Sequence, residues 1–169
     1  MPDCVTVTDT VPLPAGFSAH VANIGIKDGT TDFLVVASDV PAAAAAVFTR
    51  SRFAGPSVLL SREHVRDGRL RAALVVSKNA NVATGPQGAA NAAELAEGVG
   101  RALGCPPADV LVTSTGVIGR QYPMERIRAH LASLPGGPYP VTDARTAATA
   151  MMTTDTVPKF AEEIGRAHV

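Results

Sequence analysis

Apolar residues in this chain gather into short blocks, each cut off by a polar turn, a Gly or a Pro. Val21 to Ile26 reads as a short strand ended by the turn Lys27-Asp28-Gly29-Thr30. Phe33 to Ala37 is a continuous, partly β-branched apolar run, the mark of a buried strand. Val58-Leu59-Leu60, Ala72 to Ser77 and Val110 to Thr113 read the same way. Between them the period changes. Asp39 as cap with Pro41 just inside opens a short helix over Ala42 to Ala46, on Ala propensity, although such a run also suits a surface where backbones approach closely. Ser61 is the expected cap of another short helix that stops at Gly68. Asn91 to Leu103 is the clearest helix, with Leu95, Val99 and Leu103 four apart and Gly104 at its end. Pro123 starts a helix whose Met124, Ile127, Leu131 and Leu134 share a face, and Thr142 caps a last one that runs through Met151.

Strands and helices thus alternate, which suggests βαβ units and a parallel sheet. The irregular connections, and the lack of a Gly-rich phosphate loop at the first strand–helix turn, argue against a nucleotide-binding version of it. Residues 1–15 read as a tail and residues 16–169 as a single α/β domain. No internal repeat is present.

Composition narrows the classes. Of 169 residues, 46% are hydrophobic and 18% charged, so a real core is available. Trp is absent and Ala abundant, so packing relies on Ala, Val, Leu and Ile. Fifteen basic residues balance fifteen acidic ones, which leaves no electrostatic case for nucleic acid or an acidic membrane. The start lacks the basic and apolar regions of a signal peptide, and no apolar run is long enough to span a membrane. Cys4 and Cys105 fit no zinc or redox spacing and read as reduced cytoplasmic thiols.

Candidate chemistry lies in three polar segments that directly follow apolar elements, where sites concentrate. Ser114-Thr115-Gly116 is the sharpest. A Gly there lets a backbone N–H approach a ligand, the Thr hydroxyl adds a second donor, and two donors aimed at one point can hold a developing oxyanion. An ordinary turn with a capping hydroxyl reads from the same residues. Thr153-Thr154-Asp155-Thr156 offers hydroxyls to a substrate, or is a hydrated helix end. Asn79 and Asn81 can bind a polar ligand or simply hold their own loop. His20, His64, His130 and His168 show no shared face or ligand spacing, and His64 and His130 are expected to be solvated. Arg50, Arg52, Arg120 and Arg126 can meet a carboxylate, but the default reading is exposed arginine. No hydrolase, metalloprotease or phosphate-loop motif occurs. No cofactor or metal is expected.

Four segments, in order, resemble the ornithine acetyltransferase family, also called the bifunctional glutamate N-acetyltransferase family. They are Ala46-Val47-Phe48-Thr49-Arg50 with Ala54-Gly55-Pro56-Ser57-Val58, then Asn79 to Gly85, Ser114 to Gly119, and Met152 to Thr156. Family members often carry a Cys in the Asn-rich loop, where this chain has Ala83. The resemblance implies an α+β fold, a layered α/β/β/α sandwich of the self-processing N-terminal-nucleophile-like type, in which a partner β chain completes the α chain. It implies a precursor that cleaves itself before a Thr, which becomes the first residue of the β chain and the nucleophile. Acetyl would pass from N-acetylornithine to that Thr and on to glutamate, without a cofactor. Thr115 by its hydroxyl and Gly116 by its N–H would form the oxyanion hole, and Thr153 would bind substrate. The family's cleavage motif does not occur before Val169, so the nucleophile and the family's substrate-binding Lys are both expected on another segment. An obligate αβ pair, and homo-oligomers of it, are expected in the cytoplasm. A self-processing hydrolase or aminopeptidase of related scaffold and a non-catalytic binding subunit are the alternatives.

Overall fold

Pairing between distant segments, more than local propensity, sets the elements of this chain. A computed structural model describes residues 11–27 and 29–161; Cys4 and His168 lie outside them. The strands are β1 (Phe17–Ala22), β2 (Phe33–Ala43), β3 (Arg69–Val76) and β4 (Val110–Ser114). They form one sheet in the order β1-β2-β3-β4. The first three are antiparallel neighbours, and β3 and β4 run parallel. The helices are α1 (Pro56–His64), α2 (Gly85–Leu103), α3 (Met124–Ala132) and α4 (Ala144–Met151).

Alternation along β2 sends Phe33, Val35 and Ala37 to one face and Leu34 and Val36 to the other. On the first face they meet Leu74, Val76 and Val112 from the sheet, Leu95 and Val99 from α2, and Ile127 and Leu131 from α3. On the second, Ala147 and Ala150 of α4 pack against Ala19 and Leu34. The result is the expected α+β class. Among the described residues there is a single sheet, with helices on both faces. No helix among these residues is long and apolar enough to cross a membrane.

Several boundaries differ from the sequence expectation. The first strand covers Phe17–Ala22 rather than Val21 to Ile26. After Ala22 the chain wraps the buried Asp32 carboxylate, which accepts the N–H groups of Ile24 and Ile26 at 2.7 Å each. Asp39 caps no helix, and Ala42 to Ala46 form none. Beyond a register shift, Ala42 and Ala43 pair with Leu70 and Arg69, and the Ala44 N–H donates to Gly68 O at 2.8 Å. Those sheet bonds outweigh an Ala preference of a few tenths of a kcal/mol per residue (~0.5).

Val58-Leu59-Leu60 is helical, not extended: Gly55 is the N-cap and Pro56 the first residue of α1. Ser61 therefore sits inside the helix rather than capping it. Gly68, at φ +73°, does end the segment. The helix expected from Asn91 begins at Gly85. The last helix is capped by Asp143, one residue after Thr142, with its carboxylate accepting the Thr146 N–H at 2.8 Å. Near the start, the Leu13 N–H donates to Thr142 O and the Ala144 N–H to Val11 O, both at 2.7 Å.

The histidine expectation also changes. His20 of β1 and His130 of α3 meet with their Nε2 atoms 3.0 Å apart. They are half-buried beside Phe33, and Tyr139 lies against His20. His64 turns Nδ1 to Val110 O at 2.8 Å. Charged sequence neighbours predict solvated positions for His64 and His130; sheet and helix packing instead brings both partly inward.

Candidate functional site

The parallel pair β3–β4 ends on one edge of the sheet, and the chain segments leaving both strands continue to bond each other. The Thr115 N–H donates to Val76 O at 3.0 Å, and the Val117 N–H donates to Lys78 O at 3.3 Å. Between them Gly116 takes φ +133°. A Cβ at Gly116 would lie 2.3 Å from the Lys78 carbonyl carbon and 2.7 Å from Asn79 N. Only a residue without a side chain fits this crossing. The Gly116 amide and the Thr115 hydroxyl have no hydrogen-bond partner among the described residues.

The Asn-rich loop frames this turn from behind. Asn81 is buried and donates from Nδ2 to Gly88 O at 2.8 Å and to Ser57 Oγ at 3.1 Å. Its side-chain oxygen accepts the Thr84 hydroxyl, and its backbone N–H donates to Ser114 Oγ at 2.9 Å. Asn79 donates to Arg120 O at 3.0 Å. Both asparagines therefore hold the loop, the plainer of the two sequence readings. The network sets the end of β4 against the start of α2.

Two bonds bring the end of α4 to the same edge. The Ser77 hydroxyl donates to Ala150 O at 2.9 Å, and Lys78 Nζ donates to Met152 O at 2.8 Å. Thr153 and Thr154 follow immediately. They line one cavity of about 370 Å³ with Thr115, Gly116, Lys78 and Lys27. The fold thus gathers Thr115, Gly116 and Thr153 from segments far apart in sequence. Asp155 is turned away in an ion pair with Lys159 at 2.5 Å, and the Lys159 hydrogen bond holds its carboxyl below the usual range.

The sequence reading missed the two lysines. Lys78 lies directly after a buried strand, the same signal that singled out Thr115. Its φ is +74°, a conformation that costs a residue with a Cβ about 1–2 kcal/mol. Among the described residues no His, Asp or Glu lines the cavity, which holds hydroxyl and amide donors and two ammonium groups. Chemically it can receive an anion or a developing oxyanion.

The sheet edge thus gathers hydroxyl, amide and ammonium donors from three separate segments at one cavity. The ArgJ family model matches residues 18–167, and the chain belongs to the ArgJ family. It is 54% identical over 157 residues to glutamate N-acetyltransferase Oat2 of Streptomyces clavuligerus, covering 90% of this chain and 39% of that protein. It is 46% identical over 155 residues to an arginine biosynthesis bifunctional protein ArgJ of a Nostoc species, covering 91% of this chain and 40% of that protein. Among solved structures it is similar to the ornithine acetyltransferase of Mycobacterium tuberculosis in complex with ornithine. The TM-score is 0.77 at 39% identity, over 85% of this chain and 79% of that one. The ArgJ protein of Bacillus halodurans superposes with a TM-score of 0.78 at 30% identity, over 88% of this chain and 82% of that one. The chain spans about two fifths of the length of the curated relatives it matches.

Proposed function

We propose that this chain is the α subunit of a two-chain glutamate N-acetyltransferase, moving acetyl from N2-acetyl-L-ornithine to L-glutamate. The observation that carries the reading is a cavity on which Thr115, Gly116 and Thr153 converge, with no His, Asp or Glu lining it among the described residues. Membership of the ArgJ family and the names of the relatives support it.

In this reading the nucleophile is the N-terminal Thr of a β chain, released when the precursor cleaves itself. Its hydroxyl attacks the acetyl carbonyl carbon and gives its proton to its own α-amino group, whose reference pKa of about 7.7–8.0 leaves a useful neutral fraction near neutrality. The carbonyl oxygen becomes an oxyanion, to which the Thr115 hydroxyl and the Gly116 N–H donate. Breaking the C–N bond returns the proton to the leaving amine of ornithine. The amine of glutamate then attacks the acetyl ester and frees the Thr. Thr153 donates its hydroxyl to bound substrate.

The β chain also covers surface. Val47 is fully exposed, Phe53 63% exposed and Leu59 53% exposed, and apolar side chains of this size suit burial against a partner. Pairs of α and β chains assemble further into homo-oligomers, in the cytoplasm, where thiols such as Cys105 stay reduced.

The test uses the intact two-chain protein with acetyl-labelled N-acetylornithine and glutamate. Label is expected in N-acetylglutamate, with ping-pong kinetics. Label released only as acetate would make water the acceptor and the protein a hydrolase.

A further inference from the structure

We propose that Lys78, with Lys27 beside it, forms a carboxylate-binding wall next to the Thr115–Gly116 turn, one that reads the free carboxylate of an amino acid or N-acyl amino acid. This rests on the acetyl-transfer reading for the identity of the ligand, and on the cavity itself for its charge.

Two ammonium groups line the cavity, and among the described residues no acidic one does. A concave surface with one sign of charge favours the opposite sign in its ligand. The remaining lining groups are Thr115, Gly116, Val117, Thr153 and Thr154, so hydroxyl donors and one apolar side chain stand beside the two ammonium groups. Lys78 is also placed with unusual definition for a lysine. Its backbone is in contact with the Gly116 crossing, in a left-handed conformation rarely kept by a residue with a Cβ. Strain of this kind persists where the surroundings over-determine it and clusters at ligand sites. Its ammonium is pinned by one bond to Met152 O at 2.8 Å, directly before Thr153. An ammonium has three donors, so two remain for a ligand. Lys78 therefore bridges the two halves of the cavity, the Thr115–Gly116 turn and the Thr153 segment. A substrate whose acyl oxygen lies at the turn would present its carboxylate to this lysine, and Lys27 adds a second charge from the loop after β1.

The experiment compares equilibrium binding of N-acetylornithine and of its α-carboxamide to the intact two-chain protein by calorimetry, with turnover measured alongside. The wild type is expected to prefer the acid by about 10-fold or more, the scale of a charged hydrogen bond. Lys78→Gly, which takes the observed φ freely, should bring the preference close to unity. Lys78→Arg should retain it, and Lys27→Ala should reduce it in part. An acid-to-amide ratio in Lys78→Gly equal to that of the wild type, or no preference in the wild type, would overturn the proposal. Acetyl transfer with an unchanged ratio would sink the carboxylate wall alone. A carboxylate preference that depends on Lys78 in a protein that moves no acetyl would sink the acetyl-transfer reading and leave the wall standing.

Discussion

At the scale of single residues, the site depends on a glycine whose absent side chain makes room for neighbouring backbone. A Cβ on Gly116 would meet the Lys78 carbonyl carbon at 2.3 Å, at φ +133°. Gly119, three residues on, has φ +74° and nothing within 4 Å of its would-be Cβ. Gly116→Ala should therefore cost roughly 2–4 kcal/mol, from clash and conformation together, and Gly119→Ala only about 1 kcal/mol, from conformation alone. Denaturant unfolding of both variants checks the difference, and equal losses would contradict the crossing described here. Thr115, Gly116 and Thr153 could be singled out beforehand because each follows an apolar element in a polar segment. Lys78 obeys the same rule, yet a lone lysine beside two asparagines carries no period or spacing. Its contribution is visible only once Met152 is seen to lie within hydrogen-bond reach.

At the scale of elements, α1 shows why hydrophobic pattern succeeds in one place and fails in another. Helix α2 has its apolar residues where a core-facing helix should, with Leu95 and Val99 fully buried. Helix α1 packs Leu60 against the core but buries two serines more completely. Ser57 and Ser61 are 2% and 1% exposed, while Leu59 is 53% exposed. Its inward face is partly polar because Ser61 Oγ donates to Val112 O at 2.7 Å and accepts the Val112 N–H at 2.9 Å, while Ser57 accepts from Asn81. A rule that sends apolar residues inward reads such a segment as a strand. Likewise, the Ala42 to Ala46 run follows the sheet edge offered by Leu70 and Arg69, which no local window contains. Ser61→Ala should strand both polar groups of Val112 and cost about 2–3 kcal/mol. Thermal unfolding of this variant beside Leu59→Ala gives the test, with the serine expected to matter more to the fold of the chain than the leucine.

At the scale of the whole molecule, the sheet separates a core of α2 and α3 from a smaller one under α4, and the β1–α3 boundary holds the His20–His130 pair. Burial holds His20 below its ordinary value of 6.5, and the neighbouring His130 adds to the effect. Burial also lowers His130, against the opposing charge of Asp32. The folded chain then binds fewer protons than the unfolded one as pH falls through the ordinary histidine range, so stability present above about pH 6.5 is lost progressively below it. His130→Gln should flatten that slope, measured as unfolding midpoints on either side of the range; an unaltered slope would remove the pair from the account. The α+β class, the neighbours in the ArgJ family and the positions of the polar loops were legible from the sequence, because ordered motifs survive in it. The meeting of two histidines 110 residues apart was not, since nothing local marks it. The central claim is that the Thr115–Gly116 turn stabilises the oxyanion of an acetyl transfer whose nucleophile lies on another chain. Its most direct test is the kcat of Thr115→Ala in the intact two-chain protein, because the backbone bond from Thr115 to Val76 O survives the change. The account predicts a fall of about 10²–10³-fold with the unfolding midpoint retained; wild-type turnover in a folded variant would contradict it.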